Sequence, residues 1–146
     1  LAGGRRLDGV VTAMMVEAGG EGEQDVRLFV AGKFSDAERE NNLAVWDGTT
    51  WGSVCSRTRG ECGVQGGLVL AMSLFEGHLI VGGSFTRAGG VAVEGLARWD
   101  GEEWYTLGGF NGNVLALASV RGQLFVGGAF TLVEGQELPY VARWRA

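Results

Sequence analysis

The chain has 146 residues, of which 27 are glycine and one is proline, and 46% are hydrophobic. This composition excludes a disordered chain, because apolar side chains are abundant, and it argues against a helical domain, because glycine disfavours helices. The net charge is −5, and the basic residues form no stripe of the kind that binds nucleic acid; this charge also disfavours binding to anionic membrane surfaces. The longest mostly apolar stretch, 68–75, is far shorter than the ~20 residues of a membrane-spanning helix.

The first part of the chain contains four short runs rich in aliphatic and aromatic residues, at 11–14, 28–34, 43–48 and 51–54. The runs have no apolar stripe of helical length, so we predict that each is a β-strand. Asp47-Gly48 separates the third run from the fourth. Glycine adopts positive φ at little cost, and this pair therefore predicts a two-residue hairpin turn.

The same cassette recurs twice, with runs at 69–72, 79–85, 96–101 and 104–109, and again at 114–117, 124–130 and 141–144. Phe34, Phe85 and Phe130 end the second run of each copy and are 51 and 45 residues apart. Insertions at 17–25 and 55–62 lengthen the first copy. We therefore predict units at 5–66, 67–109 and 110–146, with residues 1–4 ending a preceding unit, so that both ends of the chain fall inside a unit.

Tight turns are also predicted within the later copies, at Glu76-Gly77 and Arg121-Gly122, between the first and second runs. Four antiparallel strands per ~45 residues are typical of a β-propeller blade. The apolar strand that ends in Gly-Gly-x-Phe, followed by Ala-Arg-Trp-Asp-Gly-x-x-Trp, resembles kelch-like propeller repeats. It is most similar to those of fungal cortical-marker proteins and of large secreted or surface-anchored microbial proteins, and the resemblance implies about three blades of a larger or shared propeller.

The recurring residues are interpreted as structural. Alanines in the first run fit a crowded innermost strand, and the glycines that end the second run permit a bulge or the close approach of a neighbouring blade. The aromatic residues fill the space between blades. The predicted inter-blade residues are Gly32, Phe34, Trp46, Gly82, Gly83, Phe85, Trp99, Gly127, Gly128, Phe130 and Trp144.

A carbohydrate-stacking ladder is the alternative interpretation of the aromatic repeats. In a glycan-binding propeller, Trp51, Trp104 or Tyr105 would lie exposed between blades and stack on sugar rings. Arg98 and Arg143 recur before a tryptophan. They form either a ring of anion-binding side chains or, as we prefer, contacts with aromatic rings and acidic groups.

Two cysteines, Cys55 and Cys62, enclose six residues of an inserted loop. A disulfide is the favoured interpretation and would imply an oxidising compartment, whereas free thiols are the alternative. A zinc site is disfavoured, because zinc requires about four ligands and no second cysteine pair accompanies this one. The acidic runs at 17–25 and 36–40 lack the regular alternation of a calcium loop, and we expect no metal or other cofactor.

The chain's single histidine, His78, lies beside a predicted turn, and neither a repeating catalytic group nor a phosphate-binding loop is present. Kelch-like oxidases would require several metal-ligating Tyr and His residues. We therefore expect a non-enzymatic structural or interaction module, extracellular or at the cell surface, whose partner is another protein or a neighbouring subunit. The alternative is a glycan-binding propeller. Because propellers have 4–8 blades, the remaining blades would come from further chain or from other subunits.

Overall fold

The computed structural model describes residues 9–18, 26–36 and 39–145. All strands in this part of the chain pair in antiparallel fashion, and the ordered segments between them are loops and turns without a helix. The predicted all-β class is therefore confirmed.

The strands follow one another in the order β1 (Val10–Glu17), β2 (Arg27–Lys33), β3 (Ser35–Asp36), β4 (Arg39–Glu40), β5 (Leu43–Trp46), β6 (Trp51–Ser53), β7 (Val64–Gln65), β8 (Val69–Phe75), β9 (His78–Gly83), β10 (Arg87–Ala88), β11 (Val91–Ala92), β12 (Leu96–Trp99), β13 (Trp104–Thr106), β14 (Val114–Val120), β15 (Gln123–Gly128), β16 (Leu132–Val133), β17 (Gln136–Glu137) and β18 (Val141–Arg145).

Three larger sheets follow the three copies of the cassette. The first sheet has the strand order β1-β2-β5-β6, the second has β8-β9-β12-β13, and the third has β14-β15-β18 within the described residues. The four predicted runs of the first two copies are thus hydrogen-bonded in chain order. Short pairings that the sequence did not predict, β3-β4, β7-β10-β11 and β16-β17, lie in the connections.

The tight turns predicted at Glu76-Gly77 and Arg121-Gly122 are present, and each contains two residues. Phe75 pairs directly with His78, and both turn residues have positive φ, 51° and 75°. Arg121 and Gly122 have φ of 48° and 73°. Two consecutive positive φ angles characterise the hairpin turn whose twist matches that of the flanking strands.

The Asp-Gly hairpins differ from the prediction of a two-residue turn, which was wrong. Trp46 pairs with Trp51, so the turn contains the four residues 47–50. The Asp47 carboxylate accepts hydrogen bonds from the backbone N–H groups of Thr49 and Thr50, at 2.8 Å each. Aspartate thus satisfies backbone groups that a shorter turn would pair with each other, and Asp100 does the same in the second sheet.

An irregularity recurs at one place in each larger sheet. The strand register shifts between Val11 and Ala13, between Val69 and Ala71, and between Val114 and Ala116. Such a shift is a β-bulge, in which an extra residue bends the strand. Gly32, Gly83 and Gly128 lie opposite these bulges.

The two glycines of the pair in the second sheet, Gly82 and Gly83, have different roles. A Cβ on Gly83 would lie 1.9 Å from the Leu68 carbonyl oxygen, so the second glycine is required by the bulge. A Cβ on Gly82 would lie 2.5 Å from Val114 Cγ1, because the third sheet approaches closely there. The bulge and the close approach of a neighbouring sheet, which the sequence analysis gave as alternatives, therefore both occur, the first at Gly83 and the second at Gly82.

Gly128→Ala should lower the free energy of unfolding by about 1–3 kcal/mol, the usual effect of overpacking. Its Cβ would lie 2.1 Å from the backbone oxygen of Asn113, so β14 would have to move. Gly127→Ala is the matched control on the same strand, since its Cβ would have its nearest neighbour at 3.7 Å. Urea unfolding of both variants makes the comparison, and equal losses would contradict the assigned role.

The three larger sheets pack face to face through their first strands, since β8 contacts both β1 and β14. One apolar cluster lies between the first and second sheets and a second lies between the second and third. The second sheet is therefore covered on both faces. We call the face toward the preceding sheet the back face and the face toward the following sheet the front face.

Candidate functional site

The recurring aromatic residues lie mainly between the sheets. Phe85 and Trp99 are buried between the first and second sheets, and Phe130 is buried between the second and third. Phe34 belongs to a smaller cluster on the back face of the first sheet. Trp46 and Trp144, predicted to fill the same kind of space, are partly buried.

Trp104 is 2% exposed, which makes the expectation of an exposed, glycan-stacking ring wrong at this position. Its Nε1–H donates a hydrogen bond to the Val54 carbonyl oxygen at 3.2 Å, across the junction of the first two sheets. A Cβ on Gly89 would lie 2.0 Å from the indole ring, so this glycine allows close packing. The indole is thus part of the core.

The other two rings considered for glycan stacking are more accessible, but each has a neighbour. Trp51 is half-buried, and its ring centroid lies 5.3 Å from that of Trp46. Tyr105 is 42% exposed, and the Arg98 guanidinium carbon lies 5.0 Å from its ring centroid. This contact agrees with the aromatic-stacking interpretation of Arg98, and it occupies one face of the Tyr105 ring.

Cys55 and Cys62 form a disulfide, as predicted. The two residues face each other as an antiparallel pair. Backbone hydrogen bonds flank the pair, from Ser56 N–H to the Glu61 oxygen at 2.8 Å and from Gly63 N–H to the Val54 oxygen at 2.9 Å. The covalent bond thus closes a loop that leaves the first sheet after β6.

This loop docks onto the β12–β13 hairpin of the second sheet. The Arg57 N–H donates to the Glu102 carbonyl oxygen at 2.7 Å, and the Thr58 N–H donates to the Glu103 carboxylate at 2.7 Å. The Ser56 hydroxyl also donates to the Glu103 carboxylate. We call residues 55–62 together with the hairpin 100–103 the clasp.

An indole and an ion pair add to the clasp. Trp99 Nε1–H donates to the Cys55 carbonyl oxygen at 3.3 Å, from beneath the loop. The Arg57 guanidinium lies 3.0 Å from the Glu102 carboxylate, where both side chains are largely exposed. An exposed ion pair contributes little, so the backbone and Glu103 hydrogen bonds dominate the contact.

Hydrogen bonding lowers the pKa of two carboxyl groups of the clasp, Glu103 and Asp100. The Ser56 hydroxyl, followed by the Thr58 N–H, lowers the pKa of Glu103. The N–H groups of Glu103 and Glu102 lower the pKa of Asp100. In both cases the bonds favour the ionised form, because a carboxylate accepts hydrogen bonds better than a carboxylic acid does.

Stability should therefore fall as the pH drops below about 4, the ordinary range of these carboxyl groups. A carboxylate whose pKa is lower in the folded than in the unfolded state stabilises the fold above its ordinary pKa, and this contribution is lost as pH falls toward the lowered value. Urea unfolding over a pH series measures the loss. Glu103→Gln should show a shallower decline than the wild-type chain, and an identical decline would contradict the assignment.

A groove of about 520 Å³ lies between the second and third units. Its polar lining includes two exposed carboxylates, Glu94 and Glu134, together with Thr86 and Thr106. Within 9–18, 26–36 and 39–145 we find no group of three or more His, Cys, Asp or Glu residues arranged for a metal ion. The acidic runs considered for calcium extend over residues 19–25 and 37–38, which lie outside the described residues.

The exposed apolar side chains are concentrated on the first and third sheets. The first sheet exposes Val10, Val11, Met14 and Val16, all on β1. The third unit exposes Leu115, Val120, Leu132, Leu138, Tyr140 and Val141. Exposed apolar side chains are common at interaction sites, and most of those named here belong to the first and third units, whose larger sheets each have one neighbouring sheet within the described residues.

Comparison with known proteins gives no relative for this chain: no family model, no curated protein and no solved structure matches it. The kelch-like resemblance therefore stays a prediction that depends on the repeated motif. Over the described residues, none of the secondary structure is a helix long and apolar enough to cross a bilayer.

Proposed function

We propose that the chain is a non-enzymatic structural module of an extracellular or cell-surface protein, in which the three sheets are propeller blades and the outer faces bind protein. The observation that carries this proposal is the contrast between the sheets. The second is covered on both faces, whereas the first and third leave apolar side chains exposed. A surface of this composition is suited to another protein surface.

The repeated geometry supports the propeller interpretation. The first two larger sheets have the same order of four strands, and the third has the first three of them within the described residues. All three have the same bulge in the first strand, and the first strand of the second sheet contacts those of the other two. In a propeller, first strands that meet in this way would be the inner strands of blades around a common axis. Further sheets would be needed to complete a ring of 4–8 blades.

The disulfide supports the proposed location. Disulfides persist in secreted and surface proteins and are rare where thiols are kept reduced. The Cys55–Cys62 bond joins the ends of a loop that holds two sheets together through the clasp. An oxidising environment would therefore preserve the covalent closure of a loop that bridges the first two sheets.

Site-specific photo-cross-linking in the cells that make the protein tests this function. Benzoylphenylalanine at position 140, on the exposed side of the third unit, should form adducts with a discrete extracellular or surface protein. The same amino acid at position 49, at the tip of an exposed hairpin, is the control and should form none. Absence of protein adducts at 140, or equal labelling at both positions, would refute the proposal.

A further inference from the structure

The clasp loop, residues 55–62, presents two arginine side chains outside any strand. Arg57 and Arg59 are both exposed, and the Arg57 side chain is 74% exposed. Within the described residues, every other arginine except Arg121 lies in a strand. Trypsin-like serine proteases bind arginine in an acidic specificity pocket, and exposed loops are the preferred places of cleavage. The side chains of this loop therefore fit an arginine-specific protease.

The backbone of the same loop has a conformation that does not fit a protease. Four consecutive N–H groups, those of residues 57–60, donate hydrogen bonds. The first two donate across the junction to the β12–β13 hairpin, at 2.7 Å each. The Arg59 and Gly60 N–H groups donate back to Ser56, to its hydroxyl at 3.1 Å and to its carbonyl oxygen at 2.9 Å. These bonds hold the loop in a tight turn, whereas a serine protease binds its substrate as an extended stretch on both sides of the cleaved bond.

The disulfide keeps the loop in this turn. Cys55 and Cys62 lie opposite each other at its two ends, with their Cα atoms 3.9 Å apart. While the bond is present, the residues between the cysteines cannot be drawn out into an extended stretch, because the two ends of such a stretch would have to separate. Both cysteines are half-buried and lie in a surface loop, which is the setting in which thiol reductants open a disulfide.

The loop lies in the stretch of chain that connects the first two larger sheets. Ser53 ends the first sheet, and Val69 begins the second. A cut within the loop therefore falls between the two sheets. An intact disulfide would still join the two fragments, since Cys55 and Cys62 lie on opposite sides of the cut. The covalent connection between the sheets is lost only when the disulfide is reduced and the loop is cleaved.

We propose that the clasp loop is a cleavage site for an arginine-specific serine protease, closed by the disulfide and opened by its reduction. A dithiol reductant exchanges with the Cys55–Cys62 bond, which leaves two cysteine thiols while the reductant becomes a disulfide. The freed loop leaves the hairpin and extends. The protease then hydrolyses the peptide bond after Arg57 or Arg59 with one water molecule, and the cut leaves a new carboxylate and a new amino group. Reduction thus controls both the access of the protease and the covalent consequence of the cut.

Limited proteolysis with trypsin under native conditions tests the proposal. The oxidised chain is compared with the chain after reduction, alkylation of both thiols and removal of the reductant, so that the disulfides of trypsin stay intact. Mass spectrometry identifies the cuts in order of appearance. Reduction should speed cleavage after Arg57 and Arg59 about tenfold or more, because cleavage follows the population of the opened loop. In the reduced chain these cuts should precede any at Arg121-Gly122, an exposed tight turn of the third sheet, because only the loop opens locally.

Two double variants complete the test. Cys55→Ser with Cys62→Ser should be cut in the loop as fast as the reduced wild-type chain, without any reductant. Arg57→Gln with Arg59→Gln should lose the early cuts after reduction, and circular dichroism should show an unchanged fold. Equal cleavage of the loop in the oxidised and reduced chains would overturn the inference, as would a first cut elsewhere after reduction. Cleavage at Arg121 as fast as in the loop would also overturn it, since the whole chain would then be unfolding.

Discussion

Replacing Trp104 with alanine should lower the free energy of unfolding by about 3–5 kcal/mol, the usual range for a buried large aromatic residue. The indole is nearly inaccessible, packs against Gly89 and the Trp99 ring, and belongs to the cluster between the first two sheets. Its removal leaves a cavity at this junction. It also leaves the Val54 carbonyl oxygen without its indole donor. Chemical denaturation measures the loss.

Two further variants separate the contributions. Tyr105→Ala, the neighbouring position on the same strand, should cost much less, because its side chain is 42% exposed and belongs to neither of the two inter-sheet apolar clusters. Trp104→Phe retains most of the apolar contact but removes the donor, and should cost about 1–3 kcal/mol through the smaller ring and the unsatisfied carbonyl. Equal losses at positions 104 and 105 would contradict the assignment of Trp104 to the core.

The sequence alone predicted the strands of the three larger sheets and four of the eight buried aromatic residues, because these features repeat. Phe34, Phe85 and Phe130 recur at one place in the cassette, and all three are buried. A residue type that returns at a fixed position in three copies reports a shared packing requirement. Exposure of the end faces could not be read in this way, since Val11 and Val69 have the same chemistry and differ only in what covers them.

In each larger sheet, the residue before the third strand has a left-handed backbone conformation. The sequence analysis did not predict this, because the residue type at this position differs among the three copies. Asn42, Gly95 and Tyr140 have φ of 59°, 80° and 70° at equivalent places. Asn42 is also fully buried; it accepts a hydrogen bond from Phe34 N–H and donates one to the Val64 oxygen at 3.1 Å. Asparagine and glycine tolerate this conformation, but tyrosine carries no such signal, so the repeat alone did not reveal the shared backbone.

The clasp was also beyond sequence analysis. The cysteine spacing predicted a closed loop, but it contained no information about the surface on which the loop would lie. The contacts of Glu102 and Glu103 with Arg57 and Thr58 span 45 positions of the chain. Long-range hydrogen bonds between unrelated loops leave no periodic trace in a single sequence.

The double substitution of Cys55 and Cys62 to serine should lower the free energy of unfolding by about 2–3 kcal/mol, the entropic contribution of a cross-link that closes a loop this short. The separation of seven residues sets this size. Without the bond, the loop gains freedom in the unfolded chain and its docking on the hairpin must be formed at greater entropic cost. Urea unfolding of the wild-type and variant chains gives the difference.

Chemical reduction of the disulfide, with a thiol reducing agent, provides the matched control for this prediction. It should lower the stability of the wild-type chain to that of the double variant and leave the variant unchanged. Amide hydrogen exchange should then accelerate at Arg57 and Thr58, whose N–H groups donate to the second sheet, because local opening governs exchange. The amides of β9 pair within their own sheet, so their exchange rates should change only as far as the global free energy of unfolding changes. If the Arg57 and Thr58 amides stayed protected from exchange after reduction, the hydrogen bonds of the clasp would hold the loop on the β12–β13 hairpin without the disulfide. That result would contradict the role assigned to the disulfide.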